Sequence, residues 1–148
     1  MAREAAGVAE HASAAPRGLS VPQGFTDEAF GDLSASVRRG AGHLSDDIAV
    51  HGSRASGNAQ VSADIDIVIL VSPEQFEELI RTRFGTPNPG SAKERTMLHA
   101  VEAGKIQAGE AGLRDLRKSL EAETGLPVDI SIIRIGGAFD QGPYIPLR

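Results

Sequence analysis

The sequence predicts an α/β or α+β domain, a small sheet flanked by helices. Two observations carry that prediction. Three short apolar stretches, at 47–51, 64–71 and 128–133, are dense in isoleucine and valine, whose β-branched side chains fit a pleated surface. Between and before them, apolar residues recur at three- and four-residue spacing, the period of a helix with one buried face. A chain of 148 residues is naturally one domain and is long enough to bury a core.

Residues 1–24 are rich in Ala, Gly, Ser and Pro and hold no period. They read as a flexible leader or as a linker from a larger parent chain, which puts the domain at 25–148. Thr26 is the expected N-cap of a first helix, with Asp27 and Glu28 in its first turn and Phe30, Leu33 and Val37 on its inner face. Gly40 and Gly42 are expected to end it. A strand over 47–51 follows, then a Gly-Ser turn, a short helical stretch and a polar loop over 57–63.

The stretch 64–71 is almost continuously apolar after its acids, as a central strand should be. Ser72, Pro73 and Gln75 announce a helix with proline at its first position and a capping-box glutamine; Phe76, Leu79 and Ile80 form its stripe. Prolines and glycines make 84–92 a loop, and Lys93 to about Ala103 a further helix. Residues 104–109 form a connector, either loop or helix bend. Residues 110–124 give the clearest helix, with Leu113, Leu116 and Leu120 on one side, Gly125 beyond its end and Pro127 preventing continuation. After the strand at 128–133, the turn-rich tail 136–144 is expected to pack over the domain surface.

Composition removes several function classes. There is no cysteine, so disulfides and thiolate metal sites are excluded, which suits a reducing cytoplasm. No apolar run approaches the ~20 residues of a membrane-spanning helix, and no apolar core of a signal peptide stands at the N-terminus. The net charge of −5 is unevenly spread: residues 81–118 hold 8 basic and 4 acidic groups. That segment is compatible with a polyanionic partner, and equally with solvated helix faces.

Chemistry concentrates in two places. The first strand runs through Val50 and His51 into Gly52-Ser53-Arg54-Ala55-Ser56-Gly57. Eleven residues after Ser53, Asp64-Ile65-Asp66-Ile67 opens the next strand. Side chains two apart on a strand share a face, so Asp64 and Asp66 point together while Ile65 and Ile67 point into a core. Two acids on one face repel and resist desolvation, and a hard cation such as magnesium relieves both costs. A Gly-Ser turn beside them offers amides and a hydroxyl to a phosphate. Asp129, an acid inside an apolar strand, also needs a partner. His51 is read as a packed, hydrogen-bonded strand-end residue and Lys105 as a solvated connector residue. The histidines lack zinc-site spacing.

This pattern resembles the nucleotidyltransferase superfamily that contains DNA polymerase beta and the minimal nucleotidyltransferases. The resemblance rests on Gly52-Ser53, the spacer, Asp64-Ile65-Asp66-Ile67 and a later acidic strand residue, Asp129. Ser56 and Ala63 depart from the minimal form, where arginine and serine are common. The resemblance implies a polymerase beta-like fold with a small mixed sheet. It implies a catalytic and metal-binding set of Asp64, Asp66 and Asp129, holding two Mg2+ ions (or Mn2+), and a nucleoside triphosphate bound at Gly52, Ser53 and Arg54. The implied reaction transfers a nucleoside monophosphate to a hydroxyl, on RNA, a protein or a small molecule.

The tail, from Val128-Asp129-Ile130 through Gly136-Gly137 to Gly142-Pro143, resembles C-terminal effector domains of bacterial polymorphic (Rhs-type) toxins. That would imply delivery within a larger secreted protein, a tRNA or other RNA target and a cognate immunity protein. Two alternatives stand beside it. One is an antitoxin-like enzyme transferring AMP to a partner protein. The other is a non-catalytic nucleotide-binding module on the same fold.

Overall fold

The computed structural model describes residue 11 and residues 18–148; the rest of the expected leader, 1–10 and 12–17, lies outside the described residues. Five strands, β1 (Ile48–His51), β2 (Ile65–Val71), β3 (Lys105–Gln107), β4 (Val128–Arg134) and β5 (Ile145–Pro146), form one open sheet in the order β3-β4-β2-β1-β5. The β2–β4 pair is parallel and the other pairs are antiparallel, so the sheet is mixed. The helices are α1 (Asp27–Ala41), α2 (Ser53–Ser56), α3 (Pro73–Phe84), α4 (Ala92–Ala103), α5 (Ala108–Ala111) and α6 (Arg114–Thr124). This architecture is consistent with a polymerase beta-like nucleotidyltransferase fold.

The period-2 alternation of the strands sorts their side chains onto two faces. Ile48 and Val50, Ile65, Ile67 and Ile69, Ile106, and Val128, Ile130 and Ile132 face the helices. They meet Phe30, Leu33 and Val37 of α1, Phe76 of α3 and Leu120 of α6 in the main core. The opposite face is smaller and separate: Ala49, Val68, Leu70 and Ile133 pack under Tyr144 of the tail. The residues at the upper end of this second face are those that carry the chemistry.

Helix ends follow the sequence closely. Thr26 and Ser72 accept hydrogen bonds from Ala29 N and Gln75 N, and Ser91 caps α4 in the same way. Four expectations are corrected. Gly40 lies inside α1, where the Cβ it lacks would stand 2.7 Å from Leu116 Cδ1; its absence lets α1 approach α6. Gln75 does not close a capping box, because its side-chain amide donates to the Leu44 carbonyl. The connector at 104–109 is the edge strand β3 running into α5, antiparallel to β4. The helix expected from 110 begins at Arg114, because Gly112, at φ 75°, ends α5 in the left-handed conformation. Of the expected leader, Leu19 N and Gln23 N bond to the carbonyls of Ala55 and Arg54, so residues 18–24 lie along α2.

The tail is tied down at Asp140. Its Oδ1 accepts from the Tyr144 hydroxyl at 2.7 Å, and its Oδ2 accepts from Gly136 N at 2.7 Å and lies 3.0 Å from His11 Nε2. Burial pushes the Asp140 carboxyl up, but the Gly136 amide, the Tyr144 hydroxyl and His11 outweigh it and hold the group below the ordinary carboxylate value. A depressed folded-state value contributes stability above the unfolded value and loses it as pH falls through the folded one. Asp140→Asn is therefore expected to lower the urea midpoint at pH 7, with the gap from wild type closing as the pH falls below about 4. A gap that stays constant down to pH 2 would show that the carboxylate charge does not hold the tail.

Candidate active site

The site is assembled by strand register. His51 of β1 stands opposite Asp66 of β2, and Asp66 is in register with Asp129 of β4. The three side chains form a row across three adjacent strands on the face away from the helices. Ile65, Ile67, Val128 and Ile130, their neighbours along the strands, are buried on the other face and fix that orientation. Asp64 lies one residue before β2, exposed to solvent.

The charges in this row depend on one another. Burial raises Asp66, but His51, a hydrogen bond from Asp129 and the charge of Lys105 outweigh it and leave Asp66 below its ordinary value. Asp129 moves the other way. Burial raises it first, then the charge of Asp66 and the hydrogen bond between the two carboxyls; Lys105 opposes this and Asp64 adds to it. The hydrogen bond and the like charge between the two carboxyls thus push their values apart, Asp66 down and Asp129 up. His51 Nδ1 stands 3.7 Å from Asp66 Oδ2, an ion-pair contact rather than a hydrogen bond. Its Nε2 lies 2.6 Å from the Gln141 carbonyl, and its ring packs against Tyr144 with centroids 5.4 Å apart. Asp66 raises the His51 value against the opposing effect of burial.

Beside the acids, Gly52 adopts φ 80° and ψ −155°, a conformation essentially reserved for glycine. A Cβ there would stand 3.1 Å from Asp66 Oδ2. The turn therefore sits directly against the acidic row, with Ser53 at the start of α2. Arg54 is placed behind the turn rather than in it: it is 4% exposed. Its Nε and Nη2 donate to the Ala63 carbonyl, Nη2 also to Val61 and Nη1 to Gln23, at 2.8–3.1 Å. It braces the loop leading to Asp64.

The structure thus brings Gly52, Asp66 and Asp129 together, with Asp64 on the rim and Arg54 underneath. His51 is the packed, hydrogen-bonded strand-end residue expected, whereas Lys105 is not the connector residue expected. His51 alternates with Val50 and so shares the face of the acids. Lys105 lies on β3, and Ile106, buried in the main core, turns Lys105 and Gln107 to the acidic face. The Lys105 ammonium sits 4.6 Å from the centre of the Phe139 ring. The visible signal was the single isoleucine between two polar residues, too short a run to read as a strand.

Two carboxylates in register on neighbouring strands, with a third two residues before Asp66, are a hard all-oxygen donor set that fits Mg2+ or Mn2+. Among the described residues, no group of three or more acid, histidine or cysteine side chains is already drawn together around a cation position. Asp66 and Asp129 stand in register, and Asp64 lies exposed just before β2.

Comparison with known proteins gives one match. A family model described as a nucleotidyltransferase domain covers residues 36–141, from within α1 to the tail, including every residue of the row. No curated protein and no solved structure matches the chain.

Two substitutions probe the scaffold. Gly52→Ala is expected to cost about 1–3 kcal/mol in urea unfolding, from a conformation that L-residues avoid; an unchanged midpoint would mean that the turn relaxes. Arg54→Lys, which replaces a planar fork making four hydrogen bonds with one compact ammonium, is expected to cost about 1–3 kcal/mol. Retained stability would show the loop to be held by other contacts.

Proposed function

The chain belongs to the nucleotidyltransferase domain family, and we propose on that premise that it carries out metal-dependent transfer of a nucleoside monophosphate from a nucleoside triphosphate to a hydroxyl acceptor. The single observation that supports this most is the register of Asp66 with Asp129 beside the Gly52-Ser53 turn. A fold needing only stability has no reason to crowd two carboxylates on an open sheet face.

In this reading Asp64, Asp66 and Asp129 hold divalent cations, magnesium or manganese. When bound, these neutralise phosphate charge and lower the pKa of the acceptor hydroxyl. Gly52 and Ser53 receive the β- and γ-phosphates through backbone amides and the Ser53 hydroxyl. His51 fixes Asp66, clamped between the Gln141 carbonyl and the carboxylate. The acceptor oxygen bonds to the α-phosphorus as the bond from that phosphorus to the bridging oxygen breaks. Pyrophosphate leaves with the electron pair. The hydroxyl proton passes to an oxygen of the ionised Asp129 carboxylate, whose affinity for a proton is raised by burial and by the charge of Asp66.

The test is incubation with each labelled nucleoside triphosphate and total RNA or cell lysate. Transfer is expected with wild type and Mg2+ and is expected to stop with a chelator. Asp66→Asn and Asp129→Asn are each expected to reduce it by at least about 100-fold, the scale of losing one catalytic group. Nucleotide binding without transfer to any acceptor would favour a binding module. Full activity in Asp129→Asn would remove the proposed base.

A further inference from the structure

The row of acids has two flanks, and they differ. On the β1 side lies the Gly52-Ser53 turn. On the other side, beyond β4, the edge strand β3 borders a cavity of about 100 Å3. Lys105, Gln107 and Phe139 line it, together with Thr96 and His99 of α4 and Glu110 of α5. Phe139 is 44% exposed, although a large aromatic side chain on a small domain has ample apolar core to join. Its ring lies under the Lys105 ammonium, and the same ammonium acts electrostatically on Asp66 and Asp129. Lys105 thus borders the cavity from the strand next to the one that carries Asp129.

This inference rests on the nucleotidyl transfer proposed above. Displacement at phosphorus is in line, so the attacking oxygen enters opposite the departing pyrophosphate. If pyrophosphate leaves on the β1 side, the acceptor comes from the β3 side. We propose that the Lys105–Phe139 cavity is the acceptor site and that it takes the 3′-terminal nucleotide of an RNA. Phe139 stacks on the base, a contact open to any base because each has a π face. Lys105 meets the adjoining phosphate. Gln107, His99 and Glu110 offer both donors and acceptors to the base edge. A protein side chain would need neither the cation nor this range of edge groups around a single ring.

The test uses the full chain with Mg2+, a nucleoside triphosphate and a short oligoribonucleotide whose 3′-terminal residue is intact or abasic. Phe139→Ala is expected to raise the KM for the intact oligoribonucleotide about tenfold, the scale of one lost stacking contact, and to leave the KM for the triphosphate unchanged. Phe139→Trp is expected to restore it. The abasic oligoribonucleotide should be about as poor with wild type as the intact one is with Phe139→Ala, and no poorer with the variant. An unchanged thermal midpoint will separate lost binding from lost fold. Equal KM values for intact and abasic ends overturn the acceptor site and leave transfer standing. So does a Phe139→Ala effect confined to the triphosphate, or label found on protein rather than RNA. No transfer to any acceptor overturns the underlying reading as well.

Discussion

The parallel pairing of β2 with β4 is the constraint on which the site depends. It sets Asp66 beside Asp129 and aligns Ile67 with Ile130 and Ile69 with Ile132 over the main core. The burial that stabilises the fold and the crowding that makes the site are therefore one arrangement. A slip of one residue along either strand would turn its acid into the core and its isoleucines to solvent. The hydrophobic effect thus holds two like charges together, at a distance that neither would choose alone.

The electrostatic cost of that pairing is lowered from three directions. A hydrogen bond joins the two carboxyls. His51, held by the Gln141 carbonyl and the Tyr144 ring, places its imidazole against Asp66. Lys105 adds positive charge from the sheet edge. Two of these supports depend on the tail, since Gln141 and Tyr144 hold His51 and Phe139 lies under Lys105. The tail, tied at Asp140, is therefore part of the site and more than a cover for the second face of the sheet.

Much of this was legible in the sequence, because the signals were local or periodic. The caps at Thr26 and Ser72, the stripe Leu113-Leu116-Leu120 and the alternation of acid with isoleucine at 64–67 each state their structure within a few residues. What was not legible depends on distant partners. Three residues at 105–107 become a strand only because β4 offers an edge. Gln75 abandons its helix cap because a carbonyl from residue 44 is in reach. Arg54 looks like a phosphate ligand beside its turn, but the carbonyls of Gln23, Val61 and Ala63 gather around it only in the folded chain. The register of Asp129 with Asp66 could be expected from the family resemblance, but no spacing along the chain fixes it.

The account stands or falls on whether Asp66 and Asp129 act as one site for a divalent cation. The most direct measurement follows the carboxyl carbon resonances of the labelled aspartates during a Mn2+ titration with a non-hydrolysable nucleoside triphosphate present. The account predicts that Asp66 and Asp129 broaden together along a single binding curve, that Asp64 follows, and that Asp66→Asn removes the effect at Asp129. Independent curves for Asp66 and Asp129, or broadening at Asp140 as strong as at either, would contradict it.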